Sequence, residues 1–294
     1  MKKIIAVAVA AAFAVPVYAD INVSGQLEFQ YKAQDGADNA INDDGQLLKI
    51  TGSSKLNNGM TVGADMTLVM NAGTDAADDA PGNSDGGESI NIKGDFGSFS
   101  MGDVSGALDS VGDYSDVSPE EGGFAVDGND AGIVVATKLG AATVYLSHSP
   151  TGASALPGGI TADFNSYSIK MPVGPAEVYV GAESHGADSA TRDVIAYGAK
   201  SSFGGVMVAA EYADYDSGAS ATGLAATYSM GDIKLAIESQ SVQSAADVTT
   251  ADETILSATY NMGGGLKVYL ESRDDDAAGA ATTGINTFGM QYSF

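Results

Sequence analysis

Residues 21–32 alternate with a period of two. Ile21, Val23, Gly25, Leu27, Phe29 and Tyr31 fall on one side of an extended chain; Asn22, Ser24, Gln26, Glu28, Gln30 and Lys32 fall on the other. Successive side chains of a strand point to opposite faces, so this stretch suits a strand lying between two unlike environments. The pattern recurs. Near 47–56, Leu48, Ile50 and Leu56 oppose Lys49, Thr51, Ser53 and Lys55. Near 60–71, Met60, Val62, Ala64, Met66, Leu68 and Met70 oppose Thr61, Gly63, Asp65, Thr67 and Asn71. Weaker alternation predicts strands near 89–96, 98–103, 132–139, 142–148, 164–172, 176–185, 193–203, 205–213, 222–230, 232–240, 254–262, 265–273 and 284–294, sixteen in all.

The connections are of two kinds. One set is short and Gly-rich, such as LNNGM, GDFGS, LGAA and NMGGG. Gly and Asn accept positive φ at little cost, which suits tight hairpin turns. The other set is longer and acidic: DGADNAINDDG, GTDAADDAPGNSDGG, DYDSGAS, RDDDAAGAATT and their like. Short then long, repeated along the chain, predicts antiparallel up-and-down strands with two different ends and a single domain.

Residues 1–19 are read separately. MKK, the apolar run IIAVAVAAAFAV and VYA have the layout of a secretory signal peptide cleaved between Ala19 and Asp20, leaving a domain over 20–294. The apolar run is too short to span a bilayer as a helix. Removing Lys2 and Lys3 takes the formal net charge from −25 to −27. So acidic a chain repels nucleic acid. The absence of cysteine excludes disulfides and thiolate metal sites. His148 and His185 are too few and too separated for a zinc or triad site. The text GNSDG at 82–86 matches a nucleophile elbow but sits in a Gly/Asp-rich loop with no helix signal after it. The Asp-rich runs at 75–79 and 274–276 are possible Ca²⁺ ligands, although no EF-hand spacing occurs and solvated charge is the plainer reading. No cofactor and no catalysis are expected.

What meets the apolar face is decided by residue placement. When each strand's phase is set from its large apolar residues, its charges fall on the opposite face, which suits a soluble sandwich and a membrane barrel equally. Aromatics discriminate. Phe96, Phe99, Phe203, Tyr228, Tyr260, Tyr292 and Phe294 gather at the short-turn ends of the apolar face, and Phe29, Tyr31 and Tyr212 at the long-loop ends. Aromatic girdles at both rims mark a membrane barrel. In lipid the sheet must close, and sixteen strands leave a lumen too wide for side chains to fill. The rival reading is a secreted acidic β-protein, such as a surface adhesin or surface-layer component.

The strand INVSGQLEFQYK, the hairpin KGDFGSFSMGD running into SGALDSVGDY, and the terminal TFGMQYSF together resemble the general bacterial porin family of Gram-negative outer membranes. The resemblance covers the mature chain. It implies a trimer of sixteen-stranded barrels, with short periplasmic turns, long external loops and a third long loop folded into the lumen. It also implies a water-filled channel for passive diffusion of small hydrophilic solutes and ions. Phe294 is then the signal read by the outer-membrane assembly machinery, and lipid and lipopolysaccharide are the surroundings.

The third long loop follows Gly102. It holds Asp109, Asp113, Asp116, Glu120, Glu121, Asp127 and Asp130, has no Lys or Arg, and shows no clear period. By resemblance these carboxylates line the constriction and favour cations. Lumen-facing charges are expected at Glu28, Lys32, Lys49, Lys55, Asp65, Lys93, Lys138, Lys170, Lys200 and Arg273. The wall has one inward Arg, so lysines replace the arginine cluster usual in that family.

Overall fold

The computed structural model describes residues 20–43, 45–69, 87–119, 130–150, 164–185, 193–246, 248–277 and 283–294. The strands begin with β1 (Asp20–Gln34), β2 (Ala40–Asp43), β3 (Leu47–Lys55), β4 (Thr61–Val69), β5 (Glu88–Gly94) and β6 (Gly97–Ser105). They continue with β7 (Asp130–Leu139), β8 (Ala142–Ser149), β9 (Phe164–Val173), β10 (Ala176–His185), β11 (Val194–Phe203) and β12 (Val206–Tyr215). The last are β13 (Ser220–Met230), β14 (Ile233–Gln243), β15 (Thr249–Gly263), β16 (Leu266–Ala277) and β17 (Thr283–Ser293).

From β3 onward each strand pairs antiparallel with the next, and β17 returns to β1. Both β2 and β3 pair with β1, at different heights, so together they fill one position. The result is a closed barrel of sixteen wall strands with no free edge. Closure satisfies every ladder group internally, as a bilayer requires. Residues 1–19, expected to be a signal peptide, and the GNSDG and 75–79 runs lie outside the described residues.

Several details differ from the sequence reading. The loop expected after β1 contains β2, where Ile41 rejoins the ladder opposite Tyr31; Gly45, at φ 67°, marks the break before β3. Strands also extend further at the long-loop side. Asp274–Asp276 belong to β16 rather than to a loop and pair with Thr254, Glu253 and Asp252. Alternation of side chains was the sequence signal, but a ladder needs only backbone groups, so polar residues continue it.

The distribution of exposure is inside-out. Ile21, Val23, Leu27, Phe29 and Tyr31 are exposed, whereas Glu28 and Gln30 between them are only 5% and 3% exposed. Elsewhere Leu224, Leu235, Leu256, Leu270 and Phe288 are exposed while Glu183, Glu211, Glu238 and Glu271 are buried. An apolar belt around the outside far exceeds what a soluble monomer presents, so the secreted-protein alternative falls. The polar face lines the interior.

The β5–β6 hairpin shows why its glycines stand where they do. Gly97 (φ 115°) and Gly102 (φ 124°) lie in the left-handed region, and a Cβ on them would sit 2.0 Å from the Ala136 carbonyl oxygen and 2.1 Å from that of Glu88. No other residue fits either position. Asp95 is a turn residue of this hairpin, not part of a strand.

Candidate pore-lining site

The chain leaves the wall after Ser105 and returns at Asp130, and these two residues are ladder partners. The intervening segment is therefore an excursion from one point on the wall. Its first half, 106–119, is described; Glu120, Glu121 and Asp127 lie outside the described residues, and Asp130 starts β7.

This half is fastened to inward-facing side chains of successive strands. The Ala107 and Leu108 amides donate to the hydroxyls of Ser147 on β8 and Ser166 on β9, each at 2.9 Å. Ser168 on β9 donates to the Ala107 carbonyl. A single tight turn follows, in which the Ser110 and Gly112 amides donate to the Gly106 and Leu108 carbonyls at 2.9 and 3.0 Å. Asp113 then adopts φ 61°, a conformation that Asp tolerates better than most residues.

Beyond the turn, three wall glutamates hold the segment. The Tyr114 hydroxyl donates to Glu177 on β10 at 2.7 Å. The Ser115 amide and hydroxyl both donate to Glu211 on β12 at 2.7 Å. The Val117 and Ser118 amides donate to Glu238 on β14 at 2.8 and 2.9 Å. Wall lysines take the carbonyls: Lys234 donates to Val117 at 2.7 Å and Lys170 to Ser110 at 3.4 Å. Lys200 lies 3.9 Å from the centre of the Tyr114 ring and 3.2 Å from Glu177. Buried carboxylates are costly unless hydrogen-bonded, and backbone N–H groups meet that need with charge-assisted bonds.

Apolar contacts complete the attachment. Leu108, Val111, Tyr114 and Val117 are buried against Ala196, Ala209, Ala213, Ala221, Ala225 and Ala236 of the inner wall. Alanines there let the segment approach the wall closely. Tyr114 meets Tyr179 edge-on with ring centroids 5.0 Å apart. Burial, first, and the bond to Glu177 push the Tyr114 phenol well above its ordinary pKa.

Against the sequence reading, the segment does have a period: apolar residues recur every third position from Leu108 to Val117. That spacing, with the alanine-rich inner face of β11–β14, is the signal that was available. Glu177, Glu211, Glu238 and Tyr179 were not singled out as site residues. Of the loop acids, Asp113 is exposed and Asp109 and Asp116 are half-buried.

The expected lumen charges divide into several groups. Glu28 faces inward but is engaged, accepting from the Tyr269 hydroxyl at 2.5 Å and from Gln291. Asp65 accepts from Asn91 at 3.2 Å. Arg273 is held by Glu253 at 2.5 Å and Asp275 at 2.6 Å. Lys32 on β1 is half-buried. Lys49, Lys55, Lys93 and Lys138 are exposed on the inward-facing side of their strands. Among the described residues no three His, Asp or Glu converge to hold a metal ion.

Residues 6–294 match the family model described as Gram-negative porin. No curated protein matches the chain by sequence. Solved structures with the same fold include Salmonella typhi OmpF in complex with daunomycin, at 14% identity and TM-score 0.76, covering 93% of this chain and 97% of that one. The trimer form of OmpT from Vibrio cholerae is similar at 14% identity and TM-score 0.74, covering 94% and 99%. An anion-selective porin from Comamonas acidovorans is similar at 14% identity and TM-score 0.71, covering 94% and 100%.

Proposed function

Because this chain belongs to the Gram-negative porin family, we propose that its wall-fastened segment 106–119 forms the constriction of the channel and makes it prefer cations. Family and fold make the protein an outer-membrane channel for passive diffusion, not an enzyme. The finer reading is carried by one observation: the segment that departs from the wall at Ser105 is bonded to inward-facing residues of β8 through β14. Its carboxylates Asp109, Asp113 and Asp116 then stand inside the lumen; Glu120, Glu121 and Asp127, outside the described residues, add their charge to the same loop in sequence, and Asp130 belongs to β7. Acids on one side of a constriction bias ion passage by sign. The solutes are small and hydrophilic. The barrel assembles as a homotrimer in contact with lipid and lipopolysaccharide, with Phe294 presented to the outer-membrane assembly machinery. The fold likeness to the trimeric OmpT form supports the trimer.

The test is a reversal potential in a KCl gradient across a planar bilayer. Wild type is expected to prefer K⁺, and Asp109→Asn/Asp113→Asn/Asp116→Asn to weaken that preference. Anion preference in the wild type overturns the reading.

A further inference from the structure

Of the nine inward-facing lysines, seven lie in the short-turn half of the barrel; Lys32 and Lys49 lie toward the long-loop end. Lys55, Lys93, Lys138 and Lys267 all sit within the last two ladder pairs before the short turn of their hairpins. The three lysines that touch segment 106–119 lie at most two pairs further in. The rows have a repeated form. Lys55 pairs with Thr61, and Thr61 pairs with Lys93, so one threonine stands between two lysines on the same face. Lys138 pairs with Thr143, and Thr143 pairs with Lys170, in the same way. Two strand spacings put the lysines of each row roughly 10 Å apart at Cα, with a hydroxyl between them.

On the inward face of the strands at this end the acids are Asp20 and Glu177, the latter bound to Lys200. Asp95, Asp232 and the C-terminal carboxylate sit at the turns, and Asp116 of the segment lies near Lys234. Lys55, Lys93, Lys138 and Lys267 form no ion pair among the described residues. The opposite end carries Lys32 and Lys49 but is acidic on balance, with Asp35, Asp38, Asp214, Asp216 and Asp252 exposed there and Arg273 neutralised by Glu253 and Asp275.

We propose that this chain is electrically polarised along its axis, its lysine-threonine rows forming an anion-attracting mouth at the short-turn end, so that the open channel rectifies ion flow. The inference rests on the channel reading above. In such barrels the short turns are periplasmic and the long loops external. With the external side positive, cations enter through the acidic mouth and anions through the basic one, and both fill the pore. With the sign reversed, each ion meets the mouth that repels it, and the pore is depleted.

Single channels of the full-length protein in symmetric KCl test this. Orientation is read from a Ser217→Cys variant, biotinylated at the exposed β12–β13 connection and capped by streptavidin from one side; the chain has no other cysteine. At 0.1 M salt, where the Debye length is about 10 Å, the current should be about 1.5-fold larger with the external side positive; at 1 M, where it is about 3 Å, the asymmetry should vanish. Lys93→Gln/Lys138→Gln/Lys267→Gln should conduct symmetrically at 0.1 M, and each single variant should lose part of the asymmetry. Symmetric wild-type current at 0.1 M, the opposite polarity, or an unchanged triple variant overturns the proposal. A protein that forms no channel at all overturns the channel reading beneath it.

Discussion

Phe294 and Gly25 close the barrel on each other. Each donates its backbone N–H to the other's main-chain oxygen at 3.0 Å, and the Phe294 ring lies over the glycine, where a Cβ would come within 2.5 Å of its Cζ. The last residue of the chain therefore completes the seam with the first strand. Its ring also stacks on Tyr292, centroids 6.1 Å apart.

Gly25→Val should weaken this seam. The Phe294 ring must move and the Leu47 carbonyl oxygen is 3.0 Å from the new Cβ, so a loss of about 1–3 kcal/mol is expected. Gly52→Ala serves as the control, because nothing lies within 4 Å of a Cβ there. Heat-modifiable gel migration should show the first barrel opening at a lower temperature and the second unchanged.

A second glycine supports an inner-wall aromatic. Tyr269 pairs with Gly289 across β16 and β17, and its ring fills the space a Cβ would need, 2.0 Å from Cζ. That placement brings the hydroxyl to Glu28, 2.5 Å away. Gly289→Ala should displace the ring and leave Glu28 short of a donor, at a cost of about 1–3 kcal/mol. Tyr269→Phe should lose the hydrogen bond alone and cost less. Urea unfolding midpoints of the two variants order the effects.

Glu238 should matter more for the loop than for the wall. It accepts from two amides of the segment, at Val117 and Ser118. Glu238→Ala leaves the buried Val117 amide unpaired, at about 1–3 kcal/mol, and the half-buried Ser118 amide open to water, and should raise open-channel current noise. Glu238→Gln keeps an acceptor oxygen and should fall between. Equal noise in all three proteins sinks the role given to this residue.

Tyr114 gives a pH signature. Its raised pKa means the folded state holds the phenolic proton more tightly than the unfolded chain does. The stabilisation is complete below about pH 10, the ordinary tyrosine value, and is lost as pH rises above it. The loop should loosen in that alkaline range, seen as a rise in current noise. Tyr114→Phe, which cannot ionise, should shift that rise to higher pH while starting from a weaker attachment to Glu177.

Some of this was already written along the chain. Alternation at 21–32 assigned Glu28 and Gln30 to one side and Phe29 and Tyr31 to the other before any partner was known, because strand period is a local property. Rim aromatics such as Tyr228 and Tyr260 identified lipid as the outer solvent. The short and long connections separated the two ends. Where alternation faded, the reading stopped early: β15 and β16 run on through Thr249–Asp252 and Asp274–Ala277, held by backbone pairing that side chains do not announce.

What only the folded chain decides are the contacts between distant residues. Ser115 and Glu211 are 96 positions apart, Val117 and Glu238 are 121. No local pattern selects those partners. Closing the sheet sets the register that brings Glu177, Glu211 and Glu238 to the path of one segment, and Gly25 to Phe294. The sequence by itself determined that there are two-faced strands and which face meets lipid. Register and closure, which act through the whole ladder at once, decided where the acidic segment rests and which wall residues hold it.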